Sequence, residues 1–303
     1  MLHALNQNYE AVQELRDRGY GEANFKVAKT KVMFTTPMNR AKIYQEKEVY
    51  YREDTEEPIA IHGLRYNPVQ YPTMIDKTRD MIERCNLNAE GIQERIQVSP
   101  NGGMCLVEYN FPAAEYQTPD GDSGHIKVMA LSSFNGVWSF ILSLGFQQGA
   151  CLNSQIFIRN PAAIYRARHT NKLNIDKGVH VLGQTANIIE DEISLWHDWY
   201  NQSVTRPEVF KIFMECSNFQ GSLQELMDIY NEKGKTNNKT FDYLLNVYDK
   251  EYQPAMSSCF WAVYNAITAW ATHAPSSAKN QIALSQRRSD KASEVIDRYL
   301  LAA

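Results

Sequence analysis

Between Leu2 and Arg18 the apolar residues Leu2, Leu5, Tyr9, Val12 and Leu15 recur at helical spacing and stop at Gly19, which predicts an N-terminal helix. Strand-like segments follow at Lys31–Thr35, Glu48–Arg52 and Ile59–Tyr66. Met74, Ile75, Thr78, Met81 and Ile82 then mark a helix between Pro72 and Asn86. Strand patterns return at Glu94–Val98, Met104–Phe111, His125–Ser132 and Ser154–Ile158, with turns at Asn101-Gly-Gly103 and Asp120-Gly-Asp-Ser-Gly124.

Beyond this point the period of the pattern changes. Ile189, Ile193, Trp196 and Tyr200 form a helical stripe, Leu223, Leu226, Met227 and Tyr230 a second, and Phe241, Leu244, Leu245 and Tyr248 a third. Phe260, Val263, Tyr264, Ile267 and Trp270 continue the series, and a more charged helix runs from about Ala278 to Leu300. Strands first and helices last predict an α+β protein: an antiparallel-rich sheet with a covering helix over 1–183, then a helical region over 184–303. The pattern is equally compatible with one single domain.

Composition narrows the function classes. A net charge of -4 argues against a surface that is basic all over, so a nucleic-acid partner would have to be held in a local groove. The five cysteines are widely spaced and form no Cys-x-x-Cys pair, and no basic-then-apolar leader opens the chain. These features predict free, mostly buried thiols in a reducing cytoplasm. No apolar run approaches ~20 residues, so no membrane partner is expected.

Metal and nucleophile motifs are weak. Asp120-Gly-Asp122-Ser-Gly124 begins like a calcium loop, but His125 stands where glycine is needed and Leu131 where a bidentate glutamate is needed, so a hairpin turn is expected. Gly145-Phe-Gln-Gln-Gly149 has no following lysine and hydroxyl to hold phosphate, and reads as a bend between strand and helix. No catalytic constellation and no cofactor are expected.

Tyr165-Arg-Ala-Arg-His-Thr-Asn-Lys172 carries the most chemistry. As a period-two strand it sets Arg166, Arg168 and Thr170 on one face and Tyr165, Ala167 and His169 on the other. Two planar guanidiniums suit a phosphate or a carboxylate, with Lys172 adding charge. The competing reading pairs these arginines with Glu190–Glu192. Aromatic residues beside cations, as in Tyr50-Tyr51-Arg52, Arg65-Tyr66 and Tyr165-Arg166, suit single-stranded nucleic acid, which is held by base stacking and backbone charge. Arg287, Arg288 and Lys291 form a second basic cluster at helical spacing.

Arg168-His-Thr-Asn171 is followed by Val181-Leu-Gly183, and Ser257–His273 contains an aromatic, then Asn265-Ala-Ile-Thr268, then His273. With Tyr66-Asn-Pro-Val-Gln70 and Cys151-Leu-Asn153, these blocks resemble the phage/plasmid-like proteins grouped as domain of unknown function 932, over about residues 50 to 295. The resemblance implies phage or plasmid origin and action in the cytoplasm of a bacterial host, and it brings no settled activity. The family-motif positions it maps here are Arg168, His169, Thr170, Asn265, Thr268 and His273. Asn265 and Thr268 lie three apart on one helix face, where both could bond a partner strand.

The leading expectation is therefore a non-enzymatic DNA-metabolism protein that binds single-stranded DNA, an annealing, recombination or replication accessory factor, and a homo-oligomer. Its nucleic-acid contacts would be Arg166, Arg168, His169, Thr170, Lys172, Tyr165, Arg65 and Arg52. The alternative is a self-assembling structural or host-takeover interaction protein. A third reading gives His169 proton transfer in an enzyme acting on nucleic acid or nucleotide.

Overall fold

The computed structural model describes residues 2–148, 154–155, 164–178, 185–279 and 281–300. Three sequence expectations lie outside these residues: Cys151–Asn153, the Ile156–Ile158 part of a strand, and Val181–Gly183. In chain order the elements are α1 (Leu2–Asp17), β1 (Val27–Thr35), β2 (Ala41–Arg52), β3 (Pro58–Gly63), α2 (Tyr71–Glu83), β4 (Gln93–Val98), β5 (Met104–Gln117), β6 (Ser123–Ser133), β7 (Phe140–Gln148), β8 (Ser154–Gln155) and β9 (Ile164–Ala167). The helices α3 (Thr185–Asn201), α4 (Arg206–Cys216), α5 (Leu223–Lys233), α6 (Lys239–Val247), α7 (Gln253–Met256), α8 (Phe260–His273) and α9 (Gln281–Tyr299) complete the chain. The fold is α+β, with sheets first and helices last.

Among the described residues there are two sheets. One has the order β1-β2-β3; the other has the order β4-β5-β6-β7-β8, with β9 paired to β7. The chain divides into two compact units. The first comprises Met1–Glu115, Ile126–Leu144 and Asn160–Ala186, and the second Tyr116–His125, Gly145–Arg159 and Asn187–Ala303.

In the first unit α1 and α2 are tied by Arg16, whose guanidinium bonds Asp80 and Glu83 at 2.8 Å each. The buried Asn8 side chain donates to the carbonyls of Cys85 and Leu87 and accepts from the Ala89 amide, closing the loop after α2. The apolar stripe of α2 (Met74, Ile75, Met81, Ile82) is fully or nearly fully buried, as its spacing requires. Six consecutive residues of β6, Ile126 to Leu131, are buried, so this strand is covered on both faces.

In the second unit α8 is buried from Phe260 to Ala271, the behaviour of a helix that is apolar all round. Trp196 of α3 lies 5.2 Å from Trp261, and the Trp199 indole donates to the Leu300 carbonyl at 2.9 Å. The Asp120 loop is the β5–β6 turn, closed by Thr118 and Asp122, and Asp120 accepts the Trp261 indole N–H at 2.9 Å.

Several sequence expectations need correction. Gly145 to Gln148 is strand, the end of β7, because the glycine follows the buried run Phe140–Leu144 and the chain stays extended. β3 ends at Gly63, three residues before the predicted Tyr66, where the Tyr66 amide closes a turn on the Gly63 carbonyl. β2 begins seven residues before the predicted Glu48, because ladder pairing with β1 continues through residues with no apolar alternation. Asn265 and Thr268 bond within α8, to the carbonyls of Trp261 (2.9 Å) and Asn265 (2.8 Å). Asn and Thr side chains inside a helix commonly bond the carbonyls of the preceding turn in this way.

Candidate functional site

A cleft of about 760 Å³ opens in the first unit. Its size falls in the range of small-ligand sites. Three chain segments build it: the end of β3 and its turn (His62 to Tyr66), the β6–β7 connection (Gly136, Trp138, Ser139), and the residues just after β9 (Arg168, His169, Thr170); Glu46 of β2 stands at one side.

The β6–β7 connection is the scaffold. The Ser133 hydroxyl accepts from the Trp138 amide at 2.9 Å and donates to the Trp138 carbonyl at 3.0 Å, while the Phe134 amide is held by the Gly103 carbonyl. Three aromatic side chains then hang from its carbonyls. Tyr66 donates to Ser133 O at 2.7 Å, His62 Nε2 lies 2.8 Å from Phe134 O, and His169 Nε2 lies 3.0 Å from Trp138 O. A carbonyl only accepts, so each histidine carries its proton on Nε2. The two flanking segments are joined by the Asn67 amide on the His169 carbonyl (3.0 Å), and the Tyr50 hydroxyl donates to the Tyr66 carbonyl at 2.5 Å.

His62 and Tyr66 are stacked with centroids 3.9 Å apart, and Tyr66 meets His169 edge-on at 5.4 Å. Gly136 makes the stack possible. It sits at φ +76°, and a Cβ there would come 2.8 Å from His62 Cε1.

Electrostatically the cleft divides in two. Burial pushes the His169 imidazole down to about 4 and the Tyr66 phenol up to about 12, so both are uncharged at neutral pH. His169 Nδ1 is buried and has no hydrogen-bond partner among the described residues, leaving one acceptor lone pair. Positive charge comes from the exposed Arg65 and Arg168, neither of which forms an ion pair among the described residues; Glu46 is the carboxylate at the rim. Two guanidiniums beside a partly exposed aromatic stack can hold an anion and a planar ring together.

Four of the sequence-derived positions, Arg65, Arg168, His169 and Thr170, meet in this cleft. The strand that was to carry them stops at Ala167, so Arg168, His169 and Thr170 lie in the loop that follows. Arg166 is exposed on β9 opposite Ile141 and does not line the cleft. Tyr165 donates to the Asn174 carbonyl at 2.6 Å, and Lys172 is exposed on a turn. Arg52 is already engaged: it grips Asp54 with two bonds of 3.0 and 2.7 Å and lies over the Phe25 ring. In the second unit Asn265 and Thr268 are buried and His273 is exposed at the end of α8. Two of the C-terminal cations are also spent on structure, and Arg287 is exposed. Arg288 donates to the Ala274 carbonyl at 2.6 Å and Lys291 to Glu294 at 3.2 Å. Sequence reasoning missed His62, Gly136, Trp138 and Ser139, for which no spacing signal exists.

The family described as Domain of unknown function (DUF932) matches residues 58–296, most of the chain. This chain belongs to that family. The matched span includes the β3 turn, the β6–β7 connection and the Arg168–Thr170 segment, and so nearly the whole cleft. Searches of curated proteins and of solved structures give no match. Among the described residues no helix is long and apolar enough to cross a membrane.

Proposed function

We propose that this DUF932 protein binds single-stranded DNA through the cleft, as a non-enzymatic accessory factor of recombination, replication or strand annealing in a phage or plasmid setting. One observation carries the reading: Arg65 and Arg168 line the same cleft as the His62–Tyr66 stack. Guanidiniums would take the phosphates and the stacked rings would take bases, the combination that holds single strands without reading sequence. His169, buried and uncharged, meets the Tyr66 ring edge-on and does not suit delivering a proton near neutral pH.

Fluorescence anisotropy with single- and double-stranded oligonucleotides at two salt concentrations tests this. Binding should prefer the single strand, and log K should fall with log salt with a slope of about -0.7 per neutralised phosphate. R65A/R168A should lose most of the affinity, and Arg166→Ala little. Absence of oligonucleotide binding at low salt, or full binding by R65A/R168A, would sink the proposal. The rival reading, a self-assembling interaction protein, draws on the large apolar side chains exposed in β1 and β2. Sizing separates the two: an assembly that changes with oligonucleotide favours DNA binding, and one indifferent to it favours the rival.

A further inference from the structure

The β1–β2 hairpin is an arm. β3 pairs with β2 only from Lys47 to Tyr51, so the distal part, Val32–Thr35 opposite Ala41–Tyr44, is a bare two-stranded ribbon. Every residue from Met33 to Lys47 is exposed except the half-buried Thr36. A ribbon of this kind is marginally stable alone. Its tip is nevertheless well formed: Thr36 N–H donates to Arg40 O, Asn39 N–H to Thr36 O, and Asn39 sits at φ +58°. Between Lys31 and Val32 the register jumps from Glu48 to Tyr44, a bulge that re-aims the ribbon relative to its base.

The arm presents Met33, Phe34, Met38, Ile43 and Tyr44, each 42–75% exposed. Apolar groups clustered this way mark an interaction surface. Register decides their arrangement. Val32 faces Tyr44 and Phe34 faces Lys42, so two aromatic rings and an ammonium share one face, while Met33 and Ile43 occupy the other. From Lys29 to Lys47 the segment carries five cations against one carboxylate, in a chain of net charge -4. Lys29 and Lys31 are held by Glu48, whereas Arg40, Lys42 and Lys47 form no ion pair among the described residues. The arm also starts at the cleft, since Glu46 of β2 lines it.

We infer that this arm is a second contact for the same nucleic-acid strand, with Phe34 and Tyr44 against bases and Arg40, Lys42 and Lys47 against phosphates. The inference rests on the proposed reading of the cleft. A partner that satisfies such an arm must be polyanionic and must also offer flat apolar faces. A single strand does both, with bases exposed between phosphates. An acidic protein surface supplies only the charge.

The test compares oligothymidines of about six and about thirty nucleotides, the first short enough for the cleft alone. Wild type should bind the longer far more tightly. M33S/F34S/I43S/Y44S should lose about tenfold per stacked base on the long oligonucleotide and keep the affinity for the short one. Should that variant fold poorly by circular dichroism, R40E/K42E/K47E replaces only exposed charges, and should shrink the salt slope on the long oligonucleotide alone. Wild-type behaviour of the arm variants on both lengths overturns the inference and leaves the cleft reading intact, whereas R65A/R168A binding both lengths as wild type does overturns the cleft reading. A wild-type protein that binds neither length overturns both. Arm variants that change the oligomeric state but no oligonucleotide affinity also overturn it, because the arm then docks on a second copy.

Discussion

His62 lies flat against Tyr66, with ring centroids 3.9 Å apart and planes 27° apart, in the space left by the missing side chain of Gly136. The stack is thus a property of two segments, the β3 turn and the β6–β7 connection, and its weakest point is the glycine. Gly136→Ala places a Cβ 2.8 Å from His62 Cε1 and forces an L side chain to φ +76°. The backbone alone should cost about 1–2 kcal/mol. The urea midpoint should drop accordingly, and oligonucleotide affinity should fall with it because the stacked platform is displaced.

His169 couples the fold to pH. Burial lowers its pKa to about 4 from the ordinary 6.5, so the unfolded chain takes up the proton first as pH falls. Stability contributed by the neutral imidazole is complete above about 6.5, and it is lost as pH drops through the window down to about 4, up to about 3 kcal/mol in all. Urea titrations across this window should show the decline in wild type and a flatter profile in His169→Gln. That variant retains a donor for the Trp138 carbonyl and no longer titrates.

Long apolar periods made much of the fold legible in the sequence. The stripes of α2 and α6 read directly, because burial of one face imposes the period, and α8, β5 and β6 read as apolar runs because they are buried along most of their length. Only one strand of the arm read, Lys31–Thr35 of β1; its partner did not, because residues 41–47 of β2 are all exposed and nothing selects alternation there. Half of the site was visible as charge beside aromatic residues, in Arg65 and in Arg168 to Thr170. The other half, His62, Gly136 and Trp138, depends on which carbonyls the β6–β7 connection turns toward the cleft. No local pattern encodes that. Arg52 misled for the opposite reason: Asp54, two residues on, consumes the charge that made it attractive.

Beneath α2, Arg79 is 1% exposed and bonds Glu94 of β4 through Nε (2.9 Å) and Nη2 (2.7 Å), with Nη2 also on the Gly19 carbonyl at 2.7 Å. Removing one partner strands a buried charge, which costs about 3–5 kcal/mol. Arg79→Met and Glu94→Gln should each show a loss of this size in denaturant melts. The double variant should be less destabilised than the sum, because neither charge is then left alone.

Tyr66 separates the structural and binding roles of the cleft. Its hydroxyl bonds the buried Ser133 carbonyl, while its ring supports His62 and meets His169. Tyr66→Phe deletes only the hydroxyl and leaves that carbonyl without its donor, at a cost of about 1–3 kcal/mol. The ring stays, so oligonucleotide affinity should remain within about threefold of wild type if stacking is what the cleft supplies. Tyr66→Ala removes the ring as well, and affinity should fall about tenfold or more. Burial holds the phenol near 12, so neither difference should vary between pH values of about 6 and 9. Anisotropy titrations beside urea melts check both quantities on the same samples. A Tyr66→Phe variant that binds as poorly as Tyr66→Ala would assign the loss to a disordered β6–β7 connection, and would remove base stacking from the account of this cleft.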